Sequence, residues 1–422
     1  MSEIFTTFIK IKFQDSMKNK NFGFMLRALL PLCILFSSMM LTSCSDMAKD
    51  DNPKPTSNPI RWVNDPAKLE MLYSLVDLEE NKGRLYEMTY TVDYKLDEAL
   101  NAGIVGQMSL MQFAMTQLLD KNPIDSKGLS FDAGCSAFAC QDPESKDFIM
   151  GRNFDFTHRD KNGDRVMIPV IVVHTAPAGG KKSVSFVDGQ FINYKSGFYT
   201  DGTSDLSMLM ALPYLLLDGI NEDGFAISVL KLDGNPTRQH YSDRKNNIFT
   251  TVAMRMLLDR ASTVSEATKM LEEYNMCMDD DKASYHFFMA DATGDYAIVE
   301  YTFKEGEEYP TEMEVLKGDD AWRYVTNFYA SPSMVDSPDG SVLSTHGKSR
   351  YNTLKENLSN SKYKLNPVQA MELLQKVAQG PDEEATRSTG FTQWSEVYNL
   401  NKKTVKMSIL REFDKTFTFS VE

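Results

Sequence analysis

At 422 residues the chain has room for about three average domains, or for one large α+β domain carrying a helical extension. Its 45 Lys and Arg stand against 59 Asp and Glu, a net charge of -14 with no concentrated basic stretch, which excludes a nucleic-acid partner. Hydrophobic residues at 42% and aromatics at 11% fit a chain that buries a real core.

The first 44 residues read as a secretion signal. Lys18, Lys20 and Arg27 precede an apolar run from Ala28 to Leu41 that is short for a bilayer span, and Met17 is an alternative start. The run closes on Leu41-Thr42-Ser43-Cys44, which resembles the lipobox of bacterial lipoproteins and implies lipidation of Cys44. An uncleaved signal anchor is the alternative. Residues 45–65 are polar and Pro-containing and are expected to form a flexible tether, so the protein is expected to work outside the cytoplasm, on a membrane through its lipid anchor, with the membrane face left open. With Cys33 removed and Cys44 lipidated, Cys135, Cys140 and Cys277 remain, and an odd number in an oxidising compartment leaves one thiol free. Five residues apart on a strand, Cys135 and Cys140 point to opposite faces, which argues against a disulfide between them.

From Pro66 to about Leu119 the apolar spacing predicts helices, in Leu69, Leu72, Tyr73 and Val76 and again in Met108, Leu110, Met111, Phe113, Ala114 and Leu118. Residues 66–134 are therefore expected to be a helical pro-segment. Its last part, 121–134, is rich in turn formers and ends on Gly134, directly before Cys135. Strands are then predicted over Cys135–Cys140, Phe148–Phe156, Val166–His174 and Gly224–Leu232, with hairpins His286–Ala290 to Tyr296–Tyr301 and Ser395–Asn399 to Thr404–Leu410. Helices are expected at Asn246–Asp259, after the Thr263/Glu266 capping box, and after the Asn366-Pro367 cap. Strand clusters separated by helix pairs predict sheets covered by helices, an α+β architecture over 135–422.

The chemistry concentrates at one hairpin. Cys135 is followed by Gly151-Arg152-Asn153-Phe154-Asp155-Phe156, so adjacent strands bring a thiol, a guanidinium and a carboxylate to neighbouring ends. Cys-Ser-Ala-Phe with Gly-Arg-Asn-Phe-Asp-Phe resembles the start of the mature chain in the choloylglycine hydrolase family, N-terminal nucleophile hydrolases that include penicillin V acylases and bile salt hydrolases. Acid ceramidases and acylethanolamine amidases share it. The resemblance continues in order through Asp218-Gly219-Ile220-Asn221-Glu222-Asp223-Gly224, Val325-Thr326-Asn327, Ser349-Arg350-Tyr351 and Thr392-Gln393-Trp394. The Cys135-to-Arg152 spacing departs by about one residue from the family pattern, a difference that a turn at Asp142–Lys146 absorbs. A long segment ahead of the nucleophile is more like the acid ceramidase branch.

The resemblance implies a four-layer αββα sandwich, autocatalytic cleavage after Gly134, and hydrolysis of a linear carboxamide through a thioester on Cys135. The new α-amine, with a pKa of about 7.7–8.0, would serve as base, so no histidine is required. That suits a chain whose five histidines, His158, His174, His240, His286 and His346, sit in no Cys-His protease context. It assigns Asp155 to the new amine, Arg152 to the thiolate, Asn327 with a backbone N–H near Lys231 to the oxyanion, and Arg350 to bracing the site. The Lys231 side chain is expected at the pocket mouth, toward an anionic group of the substrate. Structural roles are the competing reading for Arg152 and Asp155 as an ion pair, for Asn327 as a turn residue, for His286 in its strand, for Cys277 as a small buried side chain and for the Met108–Met115 helix as core. The expected partner is a small N-acyl amide such as a conjugated bile acid, penicillin V or an N-acyl lipid. No metal or cofactor is expected, and homo-oligomerisation is left open. The rival functions are an acyltransferase on the same scaffold and a ligand-binding surface lipoprotein without turnover.

Overall fold

The computed structural model describes residues 58–121, 134–278, 283–304, 306–334, 345–380 and 390–421, all within one compact unit, Pro55–Glu422. The signal run, Cys44, the tether up to residue 57 and most of the connector before Gly134 lie outside the described residues. Among the described residues no helix is long and apolar enough to cross a membrane.

The end of the expected tether is docked. Asn58 donates to the carbonyls of Phe198 at 2.8 Å and Ser204 at 3.0 Å, and Val63 is buried. Helix α1 (Pro66–Leu72) starts on Asp65, whose carboxylate caps the Ala67 and Lys68 N–H groups. The expectation of a purely helical 66–134 is then corrected, because β1 (Val76–Asp77) and β2 (Leu85–Tyr90) precede α2 (Leu96–Ala102), α3 (Gln107–Phe113) and a π-helical turn at Ala114–Leu118. The physical reason is local composition. In Leu85-Tyr86-Glu87-Met88-Thr89-Tyr90 the buried residues are Leu85, Tyr86, Met88 and Tyr90, a broken alternation that a search for helical spacing passes over.

The strands after Gly134 follow the predicted order. β3 (Gly134–Gln141) and β4 (Phe148–Asp155) form a hairpin that pairs Cys135 with Phe154, and its turn is closed by Lys146 N–H on Asp142 O and by Glu144 N–H on the Asp142 carboxylate. β5 (Val170–Thr175) starts later than the expected Val166, just past Pro169, which has no N–H to give a ladder. β6 (Ser183–Asp188), β7 (Leu216–Asn221) and β8 (Ala226–Asp233) follow, then β9 (Asn247–Phe249), α4 (Thr250–Arg260), α5 (Val264–Glu272) and β10 (Asn275–Cys277). β11 (Ala283–Ala290), β12 (Tyr296–Phe303), β13 (Pro310–Leu316) and β14 (Tyr324–Val325) lead to α6 (Thr345–Asn360) and α7 (Pro367–Val377), the latter capped by Asn366 with Gln369. β15 (Thr392–Asn399), β16 (Thr404–Ile409) and β17 (Phe417–Ser420) close the chain.

These strands build a nine-stranded sheet, β1-β2-β5-β6-β7-β8-β11-β12-β13, and a six-stranded sheet, β14-β3-β4-β15-β16-β17. Side-chain alternation shows the layers. On β7, a Cβ added to Gly219 would meet Leu258 of α4, whereas its neighbour Asp218 reaches Arg152 and Trp394 of the small sheet. On β3, Cys135 and Ala137 belong to the core between the sheets, whereas Phe138 and Cys140 pack with Leu354 of α6 and Leu374 of α7. Helix α4 thus packs on the large sheet and α6 and α7 on the small one, in keeping with the expected α+β architecture, and Cys135 and Cys140 are on opposite faces and free. Because β2 pairs in parallel with β5, the segment ahead of Cys135 shares the large sheet and the central core with the rest of the chain.

Candidate active site

The site is at the end of β3 where the two sheets face each other. Gly151 lets it form: a Cβ there would come within 2.3 Å of the Phe138 ring, so only glycine allows β4 to lie this close against β3 on the helix-covered face. Arg152, one residue on, then points inward. Directly beyond the β7 pairing, which ends at Ser228, β8 turns the carbonyls of Val229 and Lys231 toward Cys135.

Cys135 is 2% exposed. Its backbone N–H donates to Asn327 Oδ1 at 2.6 Å, its carbonyl accepts from Arg350 Nη1, and its Sγ lies 3.8 Å from Val229 O. Arg350 Nη1 also donates to Ser136 Oγ at 2.8 Å, and Nη2 donates to Asn327 Oδ1 at 2.8 Å. Two donors on Oδ1 fix which end of the Asn327 amide is which, and its nitrogen accordingly donates to Lys231 O at 2.9 Å. One amide hydrogen is held by that carbonyl. In extended backbone the N–H and C=O of one residue point to the same edge, so the Lys231 N–H is directed to this side as well.

Arg152 is fully buried, with Nε on Asp218 Oδ2 at 3.2 Å, Nη1 on Asn153 O at 2.6 Å and Nη2 on Val229 O at 2.8 Å. Burial pushes the Cys135 thiol up, and the adjacent Arg152 guanidinium and the Arg350 charge only partly counter it. The same burial lowers Arg350, against the pull of Asp155 at 3.6 Å. Asp155 accepts from Thr392 Oγ1 and from Gln379 Nε2, both at 2.6 Å, and lies opposite Gly134 in the β3–β4 register.

Cys135, Arg152, Asp155, Asn327, Arg350 and the Lys231 backbone are therefore brought together, and the half-buried Lys231 side chain extends from the same strand. Gly134 is the first residue of β3, joined to Cys135. Cys44 lies outside the described residues. Cys277 is buried at the end of β10 away from these contacts, and His286 has Nδ1 on Glu300 at 2.7 Å and Nε2 donating to Thr326 O at 2.9 Å, a strut for the strand that carries Asn327. Sequence reasoning missed Ser136, Val229, Asp218 and Gln379 as parts of the site. Asp218 and Thr392 stood in recognised motifs without an assigned role, Val229 acts through its backbone, and Gln379 gave no signal.

A family model for linear amide C–N hydrolases of the choloylglycine hydrolase family matches residues 135–348. Two variants of conjugated bile acid hydrolase from Clostridium perfringens are similar at 14% identity and a TM-score of 0.45, over 68% of this chain and 92% of theirs. Penicillin V acylase from Agrobacterium tumefaciens is similar at 16% identity and a TM-score of 0.42, over 65% of this chain and 83% of its own. No curated protein sequence matches.

Proposed function

The chain belongs to the linear amide C–N hydrolases of the choloylglycine hydrolase family, and within it we propose that Cys135, once N-terminal, hydrolyses an N-acyl amide through a thioester. The observation that carries this reading is that Cys135 N, Asn327 Oδ1 and Arg350 form one hydrogen-bonded cluster, with Arg152 and the thiol meeting at the Val229 carbonyl. In the first step the thiol adds to the Gly134 carbonyl and displaces the Cys135 nitrogen, giving a thioester that water opens to a Gly134 carboxylate and a free α-amine. That amine is the base for the second reaction. It takes the thiol proton, the thiolate adds to the carboxamide carbon of the substrate, and the same proton goes to the departing amine.

Charge develops on the substrate oxygen during addition. The second Asn327 Nδ2 hydrogen and the Lys231 N–H are the donors we assign to it, while Lys231 O holds Asn327 in orientation. Arg152 balances the thiolate, and Asp155, fixed by Thr392 and Gln379 opposite Gly134, orients the amine. The substrate class is an N-acyl amide such as a conjugated bile acid, penicillin V or an N-acyl lipid, presented to an exported protein held on a membrane by lipidated Cys44. Turnover of a panel of these compounds by the purified protein, with N-terminal sequencing, tests the reading. We expect a chain beginning at Cys135, activity abolished in Cys135→Ala, and activity retained in Cys140→Ala and Cys277→Ala. An active protein that stays uncut, or an active Cys135→Ala, overturns it.

A further inference from the structure

Behind Arg152, on the side away from the thiol, is a second carboxyl group for which the proposed reaction has no use. Glu396 stands directly opposite Arg152 in the β4–β15 register, so the two side chains share the inward face. Glu396, Asp218, Tyr398, Trp394 and Arg152 are all 0% exposed. The single Tyr398 hydroxyl lies 2.8 Å from Glu396 Oε2 and 3.2 Å from Asp218 Oδ1 and so bridges the two carboxyl groups. Asp218 also receives Arg152 Nε at 3.2 Å and Trp394 Nε1 at 3.3 Å, whereas Glu396 Oε1 has no hydrogen-bond partner among the described residues. On β16 the residue opposite Glu396 is Met407, which brings no charge.

Charge counting decides the state of this group. Two ionised carboxylates against one guanidinium would leave a net negative charge in a dry interior, and two buried carboxyl groups bridged by one hydroxyl do not both ionise. The donor pattern says which one ionises: Asp218, with its guanidinium, indole and phenol donors, suits a carboxylate, and Glu396, with its orphaned oxygen, suits the acid. Burial and the neighbouring Asp218 charge push the Glu396 carboxyl well above its usual range, in agreement. We propose that Glu396 and Asp218 hold one proton between them and together supply the single counter-charge of Arg152, which makes Glu396 a positioning residue that sets the field Arg152 exerts on Cys135. The assignment rests on the reading of Cys135 as the nucleophile.

The test is a mutant cycle read at the thiol rather than through turnover. In the processed full chain, the rate of iodoacetamide alkylation at Cys135, located by peptide mass, is followed against pH for wild type, Asp218→Asn, Glu396→Gln and the double variant. If one proton is shared, either amide removes that proton and not the charge, because the remaining carboxyl ionises. Each single variant then keeps the wild-type midpoint within error, and the double variant, with Arg152 unopposed, drops it by about one pH unit or more. A downward shift in each single variant that sums in the double means that both groups are ionised, and overturns the proposal. Infrared spectra of the wild type at neutral pH give a reading that needs no variant: a protonated-carboxyl band is expected, and its absence also overturns the proposal. Loss of activity in Cys135→Ala is scored separately, so failure of the shared proton and failure of the nucleophile assignment are distinguishable.

Discussion

Replacing Asn327 separates the catalytic from the structural demands on one side chain. Its nitrogen carries two hydrogens, one spent on Lys231 O at 2.9 Å and one left for the oxyanion, while Oδ1 receives Cys135 N at 2.6 Å and Arg350 at 2.8 Å. Asn327→Ala removes all of these, so kcat should fall about 10²–10³-fold, equivalent to about 2.7–4 kcal/mol of lost transition-state stabilisation. The stranded donors should cost about 1–3 kcal/mol of stability in addition. Asn327→Asp keeps the acceptor oxygen for Cys135 and Arg350 but presents no hydrogen to the oxyanion. It should match the alanine variant in lost kcat without recovering its stability, because the second carboxylate oxygen faces Lys231 O where the amide donated. Steady-state kinetics with an N-acyl substrate and thermal melts measure both quantities. An interaction made only in the transition state lowers kcat and kcat/KM equally. A rise in KM with kcat preserved, or a loss below about tenfold, would refute the assignment of Asn327 to the oxyanion.

After cleavage the segment ahead of Cys135 should remain docked, because β2 is paired inside the large sheet and Arg84 binds Glu79 at 2.7 Å and Glu412 at 2.5 Å. The two fragments should co-elute on size exclusion in native buffer and part only in denaturant, and separation in native buffer would count against it. The start of this segment is tied by Asp120, where burial acts to raise the carboxyl but Lys68 and the Asn64 and Asp65 N–H groups outweigh it, lowering it from 3.8 to about 2. A depressed carboxyl stabilises above its unfolded value and loses that contribution as pH falls through the folded one, so hydrogen exchange at Asn64 and Asp65 should accelerate between pH 3.8 and about 2. Asp120→Asn should exchange fast across that window, and a flat wild-type profile would be the failing result. Lys231→Ala should raise KM for acidic N-acyl substrates by about 0.5–1.5 kcal/mol, with a smaller effect on neutral ones. Equal changes for both classes would return the Lys231 side chain to solvent.

Part of the second half of the fold was legible because a strand such as Thr404–Ile409 alternates apolar and polar residues, and because turn formers such as Thr293-Gly294 mark the hairpin before Tyr296–Phe303. β6 and β7 were missed since Ser183–Asp188 and Leu216–Asn221 are buried on both faces and show no alternation. The strand β2 was missed because its alternation is broken, and its pairing partner β5 lies 85 residues away, beyond any local window. In the site, residues read through a motif were brought together as expected, whereas Val229 contributes a carbonyl and Gln379 joins from the turn after α7. Neither kind of contribution leaves a mark on residue type. The balance at the thiol was also hidden: the sequence shows Arg152, which lowers it, but not the burial that outweighs Arg152.

That balance bears on why a thiol is buried at a cleavage junction at all. In the intact chain Cys135 N is an amide hydrogen-bonded to Asn327, the thiol is pushed toward its protonated form by burial, and the contacts drawn around it among the described residues include no histidine. A buried thiol facing two guanidinium groups is poised but lacks a local acceptor. Cutting before Cys135, as proposed, would convert its own backbone nitrogen from donor-only amide to amine, so that proton transfer would occur inside the pocket without moving charge to solvent. On the proposed reading the activation step is chemical rather than conformational, since Asn327, Arg350 and Arg152 already surround Cys135 in the intact chain.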